Sequence, residues 1–337
     1  MTETLPNSNV ATASATALRS VHVVIVNYRT PELCVDALDS LQTELLENPE
    51  LRVTVVDNAS GDNSPERLAA YAEAHERIDF LELESNDGFA AGNDAAIDPI
   101  LDGPQPPDYF LLLNPDTVVR PGAVQALVDH LEAHPEFGIA GSRLEDPDGT
   151  PQRSAFRFPS AASEFEHEIR FGPISKLLRN RVVAPPVVDH AVETDWVAGA
   201  SMLVRREVFE AIGSIDADYF LYYEEVDFCL AARRAGWRCA YVPESRVVHL
   251  VGQASGVTNA AVVKRRPTYW FTSRRRYFVK NYGLCYAAWT DLLWIVGHAA
   301  WRVRRLIQRK PDPDPPHFLT DFVRNCVWLR GSREVRS

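Results

Sequence analysis

The chain has 337 residues, 46% hydrophobic and 24% charged, an ordinary balance for a globular protein and enough for one large domain or two smaller ones. Five cysteines show no paired or CxxC spacing, which argues against a disulfide framework and a zinc site. The formal net charge of -11 conceals a division, since residues 1–263 hold 19 Lys and Arg against 41 Asp and Glu, while residues 264–310 hold 12 basic residues and one acid. An acidic body with a basic segment near one end suggests a surface that meets anions, either lipid headgroups or phosphates, and makes nucleic acid a poor partner.

Residues 1–20 are small and polar with no apolar run, so they read as a disordered leader and not as a signal peptide, and a cytosolic protein is expected. VHVVIV (21–26), RVTVVD (52–57), IDFLEL (78–83) and YFLLL (109–113) then read as strands, with the helical patterns ELCVDALDSL, SPERLAAYAEAH and FAAGNDAAIDPIL between them. That alternation predicts a parallel sheet with helices on both faces, in which ligands bind beyond the carboxyl ends of the strands. Polar residues fall at those ends: Asn27 and Tyr28, Asp57 and Asn58, Asn86 to Gly88, and Asn114 and Asp116. The first strand leads into NYRTPEL, which has no glycine, so the dinucleotide fingerprint is missing, and GxxxxGK[ST] is absent as well.

Beyond the fourth strand, PGAVQALVDHLEAHP predicts a helix, and GIAGSRLEDPDGTPQRSAFRFPS a hairpin or mixed-sheet extension turning at DPDG. Residues 160–192 read as a mobile loop. DWVAGASMLVRREVFEAIG predicts a strand entering a helix, and FLYYEEVDFCLAARRAGWRCAYVPESRVVHL a helix followed by a strand. There are no internal repeats.

Taken singly, an Asp after a strand is more often a helix cap or turn carboxylate than a ligand. Four polar strand ends on one edge of an acidic domain with no phosphate loop suggest instead a nucleotide held by side chains, with a metal screening its phosphates. Mg²⁺ or Mn²⁺ needs only one or two protein oxygens when substrate phosphates complete the shell, and Asp116 at the end of FLLLNPD is a candidate. His249, ending SRVVHL, is a second candidate for Mn²⁺, although a histidine alone is more often packed or superficial. YYEEVDF puts Glu224, Glu225 and Asp227 at the start of a helix, where the dipole alone would favour acids. The two tyrosines before them form an apolar wall that could raise a carboxylate pKa, which makes Glu225 the preferred general base, with Glu224 and Asp227 orienting base or substrate.

VVIVNY, VVDNASGDNS, NDGFAAGN, FLLLNPDTVV, WVAGASMLVRREVFEAIGSID and YYEEVDFCLAARRAGW, in this order, resemble family-2 glycosyltransferases of the GT-A fold, particularly the rhamnosyltransferase-like branch. The resemblance covers roughly residues 21–255 and implies inverting transfer from a nucleotide-diphosphate sugar, with Mg²⁺ or Mn²⁺, in cell-envelope polysaccharide synthesis. It implies a Rossmann-like, mixed and mostly parallel sheet, with a nucleotide-binding half at 21–120 and an acceptor half at 121–255. The family's DxD metal motif falls on Asn114, Pro115 and Asp116, so an amide stands where the first carboxylate is usual. The base position falls on Glu225 and the histidine ligand on His249. Asp57, with Asn27 and Asn58 beside it, matches the acid that reads the nucleotide base. Asn86, Gly88 and Asn93 match the loop around the ribose and diphosphate, and Trp196, Gly199 and Ala200 the wall of the sugar and acceptor pocket. The branch suggests dTDP-rhamnose as donor, while UDP-hexoses use the same scaffold, and a glycan or polyprenyl-diphosphate-linked hydroxyl as acceptor.

The remainder divides into a basic, aromatic helical extension at 256–310 and a Pro-rich linker and tail at 311–337. LCYAAWTDLLWIVGHAAW (284–301) is apolar but interrupted by Asp291 and His298, so it reads as a helix lying in the interface of the inner face of the cell membrane, with packing on the catalytic domain as the alternative. The preceding KRRPTYWFTSRRRYFVK is expected to face anionic lipid or a diphosphate. Two other functions fit less well. A sugar-nucleotide pyrophosphorylase would need a glycine-rich first loop that is absent, and a catalytically silent nucleotide-sugar-binding relative is suggested only by Asn114.

Overall fold

Seven successive residues of β1 (Val21–Asn27) are buried, which is what a strand covered on both faces requires and why VHVVIVN carries no alternating polar positions. A computed structural model describes residues 19–250 and 264–333. The expected leader and the boundary at 255 therefore lie outside the described residues, apart from Arg19 and Ser20. β2 (Leu51–Asp57), β3 (Ile78–Glu82) and β4 (Tyr109–Leu113) complete a parallel set, as the sequence predicts, in the order β3-β2-β1-β4. In this register Asn27 sits opposite Asp57 at the carboxyl edge.

The second half of the sheet is mixed. β10 (Ser201–Arg205) runs antiparallel to both β4 and β6 (Phe137–Glu145), β6 lies parallel to β11 (Arg238–His249), and β5 (Thr117–Val119) closes the edge against β11. β8 (Val192–Thr194) also pairs with β11, and β7 (Ala155–Phe156) with β9 (Trp196–Val197) forms a separate ribbon. The DPDG turn closes, with Asp146 N donating to Thr150 O, and its outgoing arm returns onto β6, where Pro151 bridges Glu145 and Gln152 N donates to Leu144 O, before β7 goes on to pair with β9.

Successive β1 residues point to opposite faces, which splits the apolar core in two. Val23 and Ile25 join Leu38, Leu111 and Leu127 on one face, and Val24 and Val26 join Phe110, Met202, Phe209 and Phe228 on the other. Each such fully buried side chain is worth about 1.5–3 kcal/mol over exposure.

Residues 160–192 are not a loop throughout. Helices Ala161–Ile169 and Gly172–Leu177 and a short 3₁₀ turn occupy most of the first two thirds. A capping box between Ser160 and Ser163 starts the first helix, and the burial of Glu168 and Ile169 depends on a helix more than a hundred residues later.

That later element is Thr268–Ile307, broken at Gly283, whose φ of 82° ends one helix and starts another. Ala287, Asp291, Trp294, His298 and Trp301 form its buried stripe against Ala161–Ile169 and the closing helix Phe318–Asn325, where Phe322 stacks on Trp294 at 3.6 Å. Among the described residues no helix is long and apolar enough to cross a membrane. The centre of the basic run turns inward, while Lys264 and Arg266 at its start stay exposed. Arg274, Arg275 and Arg276 are 3%, 1% and 4% exposed. Arg274 pairs with Asp291 at 2.6 Å and Glu164 at 2.7 Å, and Arg276 with Asp216 at 2.9 Å. These buried arginines pair with Glu164 and Asp216 of the acidic body and with the segment's own Asp291. PDPDPPHF is likewise held down, through Asp314 to Arg170 and Asp312 to Arg302, and is no free linker.

Candidate active site

Asn27 and Asp57 are fully buried at the ends of β1 and β2. Asn27 Nδ2 donates to Asp57 Oδ1 at 2.8 Å, and Ser60 donates to both Asp57 oxygens, from its hydroxyl at 2.6 Å and its backbone N–H at 2.9 Å. The Asp57 carboxylate thus braces the turn that follows it. Sequence reading passed over Ser60, although a serine three residues after a strand-end Asp is a capping pattern.

Asn58 Nδ2 donates to Asn86 Oδ1 at 3.1 Å and to Gly88 O at 3.0 Å, which ties the second and third strand ends together. Gly88 has φ 104°, and a Cβ there would lie 2.2 Å from Phe220 O, so only glycine fits. Phe89 N donates to the same Phe220 carbonyl at 2.9 Å, which brings the loop before the acidic helix against the nucleotide half. Asn93 is buried on the helix Phe89–Leu101, with Nδ2 bonded to Phe89 O and Oδ1 without a partner.

At the fourth strand end, Pro115 has no N–H to extend the ladder, and Asn114 N donates to Ala200 O at 3.0 Å. Asp116 is 2% exposed, and His249 Nε2 stands 3.4 Å from its Oδ1. Both are fixed by neighbours, since Leu250 N donates to Asp116 O and Gln152 Nε2 to His249 O, each at 2.9 Å. Among the described residues no group of three or more His, Cys, Asp or Glu could hold a metal. One carboxylate with one imidazole still fits Mn²⁺ as a donor pair if diphosphate oxygens complete the shell.

The acidic helix Glu224–Arg234 begins beside this edge. A Cβ added to Gly199 would stand 3.8 Å from Glu225 Cβ and 3.7 Å from Phe89, so residues 199–200 separate Asn114 on one side from Glu225 on the other. Trp196 lies farther along the same segment, stacked on Phe156 at 4.2 Å with its indole N–H given to Arg157 O. Glu224 and Glu225 each have one buried carboxylate oxygen without a partner. Burial pushes the Glu225 carboxyl up to about 7. Glu224 is raised well above the usual range, by burial first and the neighbouring Glu225 charge second.

Asp227 differs from its two neighbours. Its oxygens are taken by Lys280 at 2.5 Å and by Asn281, which suits orienting the base more than contacting substrate, the two roles the sequence left open. The helix has no side-chain N-cap and follows two tyrosines in the left-handed region, Tyr222 with φ 71° and Tyr223 with φ 72°. Such residues cost of order 1–3 kcal/mol each and persist only where the surroundings impose them. Lys280 could not have been found from sequence, because nothing local links it to a carboxylate 53 positions away.

The layout defines an α/β enzyme scaffold with its chemistry gathered at the carboxyl edge of the sheet. The chain belongs to the family described as glycosyltransferase like family 2, whose model matches residues 19–273. It is 28% identical over 240 residues to the N-acetylglucosaminyl-diphospho-decaprenol L-rhamnosyltransferase of Mycobacterium tuberculosis, covering 66% of this chain and 75% of that protein. The dTDP-rhamnosyl transferase RfbF of Shigella flexneri is 23% identical over 239 residues, 70% of this chain and 71% of its own. Among solved structures, the mannosyltransferase PcManGT from Pyrobaculum calidifontis, in complex with GDP-Man and Mn²⁺, aligns with a TM-score of 0.54 at 15% identity, over 95% of this chain and 86% of that one. TarS 1–349 of S. aureus with UDP-GlcNAc aligns with a TM-score of 0.52 at 12% identity, over 91% and 81%. These two likenesses establish the fold, a mixed α/β sheet of the GT-A type.

Proposed function

We propose that this glycosyltransferase moves rhamnose from a dTDP donor to a hydroxyl of a polyprenyl-diphosphate-linked or glycan acceptor, by a single inverting displacement with Glu225 as general base. The observation that carries the reading is Glu225 itself. It has a partnerless buried oxygen and a carboxyl raised to about 7, and it is one residue layer from the Asn-Pro-Asp strand end. A base with that pKa is half ionised near neutral pH, where it can both accept a proton and hold it. The acceptor hydroxyl gives its proton to Glu225 as its oxygen attacks the anomeric carbon, and the nucleoside diphosphate leaves from the opposite face. A positioned base supplies on the order of 10²- to 10⁴-fold in rate. Asp116 and His249 would hold Mn²⁺ or Mg²⁺, with Asn114 beside them. When bound, the ion offsets the diphosphate charge. Asn27, Asp57, Asn58, Asn86, Gly88 and Asn93 would form the nucleotide side, and Trp196, Gly199 and Ala200 the sugar and acceptor side. The relatives named for rhamnosyl transfer support the donor and the lipid-linked acceptor.

The reading also places the enzyme on a membrane surface. Leu292, Val296, Val303 and Leu306 are 40%, 48%, 59% and 68% exposed, at helical spacing opposite the stripe that packs on the protein.

Thermal unfolding with dTDP-, UDP- and GDP-sugars, each with and without Mn²⁺, tests the donor assignment. A ligand at about a hundred times its Kd adds about 2.7 kcal/mol. A Mn²⁺-dependent rise with dTDP-rhamnose is expected. A larger rise with UDP- or GDP-sugars would reassign the donor, and no rise with any would oppose the transferase reading.

A further inference from the structure

We propose that Lys280 and Asn281 are positioning residues for the acidic pair: by holding Asp227 they fix the first turn of the helix Glu224–Arg234 and therefore where Glu225 stands. The proposal rests on the reading of Glu225 as the base and adds to it the element that aims that base. Lys280 Nζ bridges Asp227 at 2.5 Å and Asp216 at 2.6 Å. Asn281 reaches both ends of the acidic helix, donating from Nδ2 to Asp227 Oδ1 and accepting from Arg234 Nη1 at 2.6 Å and Nη2 at 3.0 Å.

The first turn needs such a clamp. It has no side-chain cap, it follows two left-handed tyrosines, and the backbone bond that closes it runs from Asp227 N to Tyr223 O at 2.9 Å. The residue whose side chain is clamped is the one that closes the turn. The same stretch of the C-terminal element grips the segment just before: Ser273 Oγ donates to Leu221 O at 3.0 Å, Tyr269 lies 5.2 Å from Phe220, and Tyr277 lies 5.4 Å from Tyr223. With Asp227 buried and both its oxygens engaged, its influence on the reaction passes through the helix.

The groups that titrate or carry charge around Glu225 are Glu224 on its own helix, Tyr222 and Tyr223 before it, and Glu164, Arg266 and Arg274 near those tyrosines. The Glu225 carboxyl is raised by burial, so releasing the clamp and letting the first turn open to water moves its titration midpoint down.

The test uses the full chain with Lys280→Met, Lys280→Arg and Asn281→Ala, read by carboxyl ¹³C NMR titration of Glu225 and by hydrogen exchange at residues 224–227. Lys280→Met should speed first-turn exchange by about tenfold or more and move the Glu225 midpoint downward as that turn opens to water, with Lys280→Arg restoring both. Turnover with dTDP-rhamnose should fall roughly ten- to a hundredfold in kcat, with the donor KM within about twofold. A folded Lys280→Met protein whose Glu225 titrates and exchanges like the wild type would overturn the proposal. If Lys280→Met does not fold, Asn281→Ala carries the same two readouts. A wild type that transfers no sugar, while the titration still responds to Lys280, would sink the base assignment and leave the positioning intact.

Discussion

Glu225 meets two opposed requirements, since the low-dielectric surroundings that make it a competent base at neutral pH also penalise its charge in the folded state. Its carboxyl lies at about 7, raised by burial. A raised carboxyl pKa means that the folded protein holds the proton more tightly than the unfolded chain, so the penalty is absent below about pH 4 and complete above about pH 7. Glu225→Gln removes that penalty. The variant should be more stable than the wild type by about 1–3 kcal/mol at pH 8, with the difference fading towards pH 5, as denaturant unfolding at the two pH values would measure. Wild-type kcat/KM should climb with pH and level off above about 7, because only the ionised base accepts the acceptor proton. Equal stability of the two proteins at pH 8 would show that Glu225 is ordinarily solvated.

At the scale of elements, the helix Thr268–Ile307 shows how much of the structure its sequence discloses. Its apolar character and its helicity were readable, and one face packs on the protein, which was the alternative to a helix lying in the membrane interface. The assignment of its arginines was not, because the partners Glu164, Asp216 and Asp291 lie on three different segments and only the tertiary fold brings them together. The exposed stripe belongs to the part after Gly283 and the clamp on Asp227 to the part before it, so one broken helix carries both. Substituting Leu292, Val296 and Val303 together by serine should remove binding to vesicles of anionic phospholipid in a flotation assay, while nucleotide-induced stabilisation stays as in the wild type. Undiminished flotation would take the membrane contact away from this face.

Across the whole molecule, the parallel half was legible because buried strands must be continuous apolar runs and the helices between them keep a 3.6-residue period. The strand ends at Asn27, Asp57, Gly88 and Asp116 could be named before the fold was known, and the sheet brings them to one edge. What could not be read was which of these polar groups face one another. Asp57 is braced by Ser60, Asp227 by Lys280, and only Glu224 and Glu225 keep a buried oxygen without a partner among the four. The most direct test incubates the wild type and Glu225→Gln with dTDP-rhamnose, Mn²⁺ and an N-acetylglucosaminyl-diphosphate lipid, and follows the acceptor by mass spectrometry. The wild type should add one deoxyhexosyl unit and the variant none, while dTDP-rhamnose stabilises both proteins equally. Transfer by Glu225→Gln at the wild-type rate, or none by a wild type that binds the donor, would contradict the account.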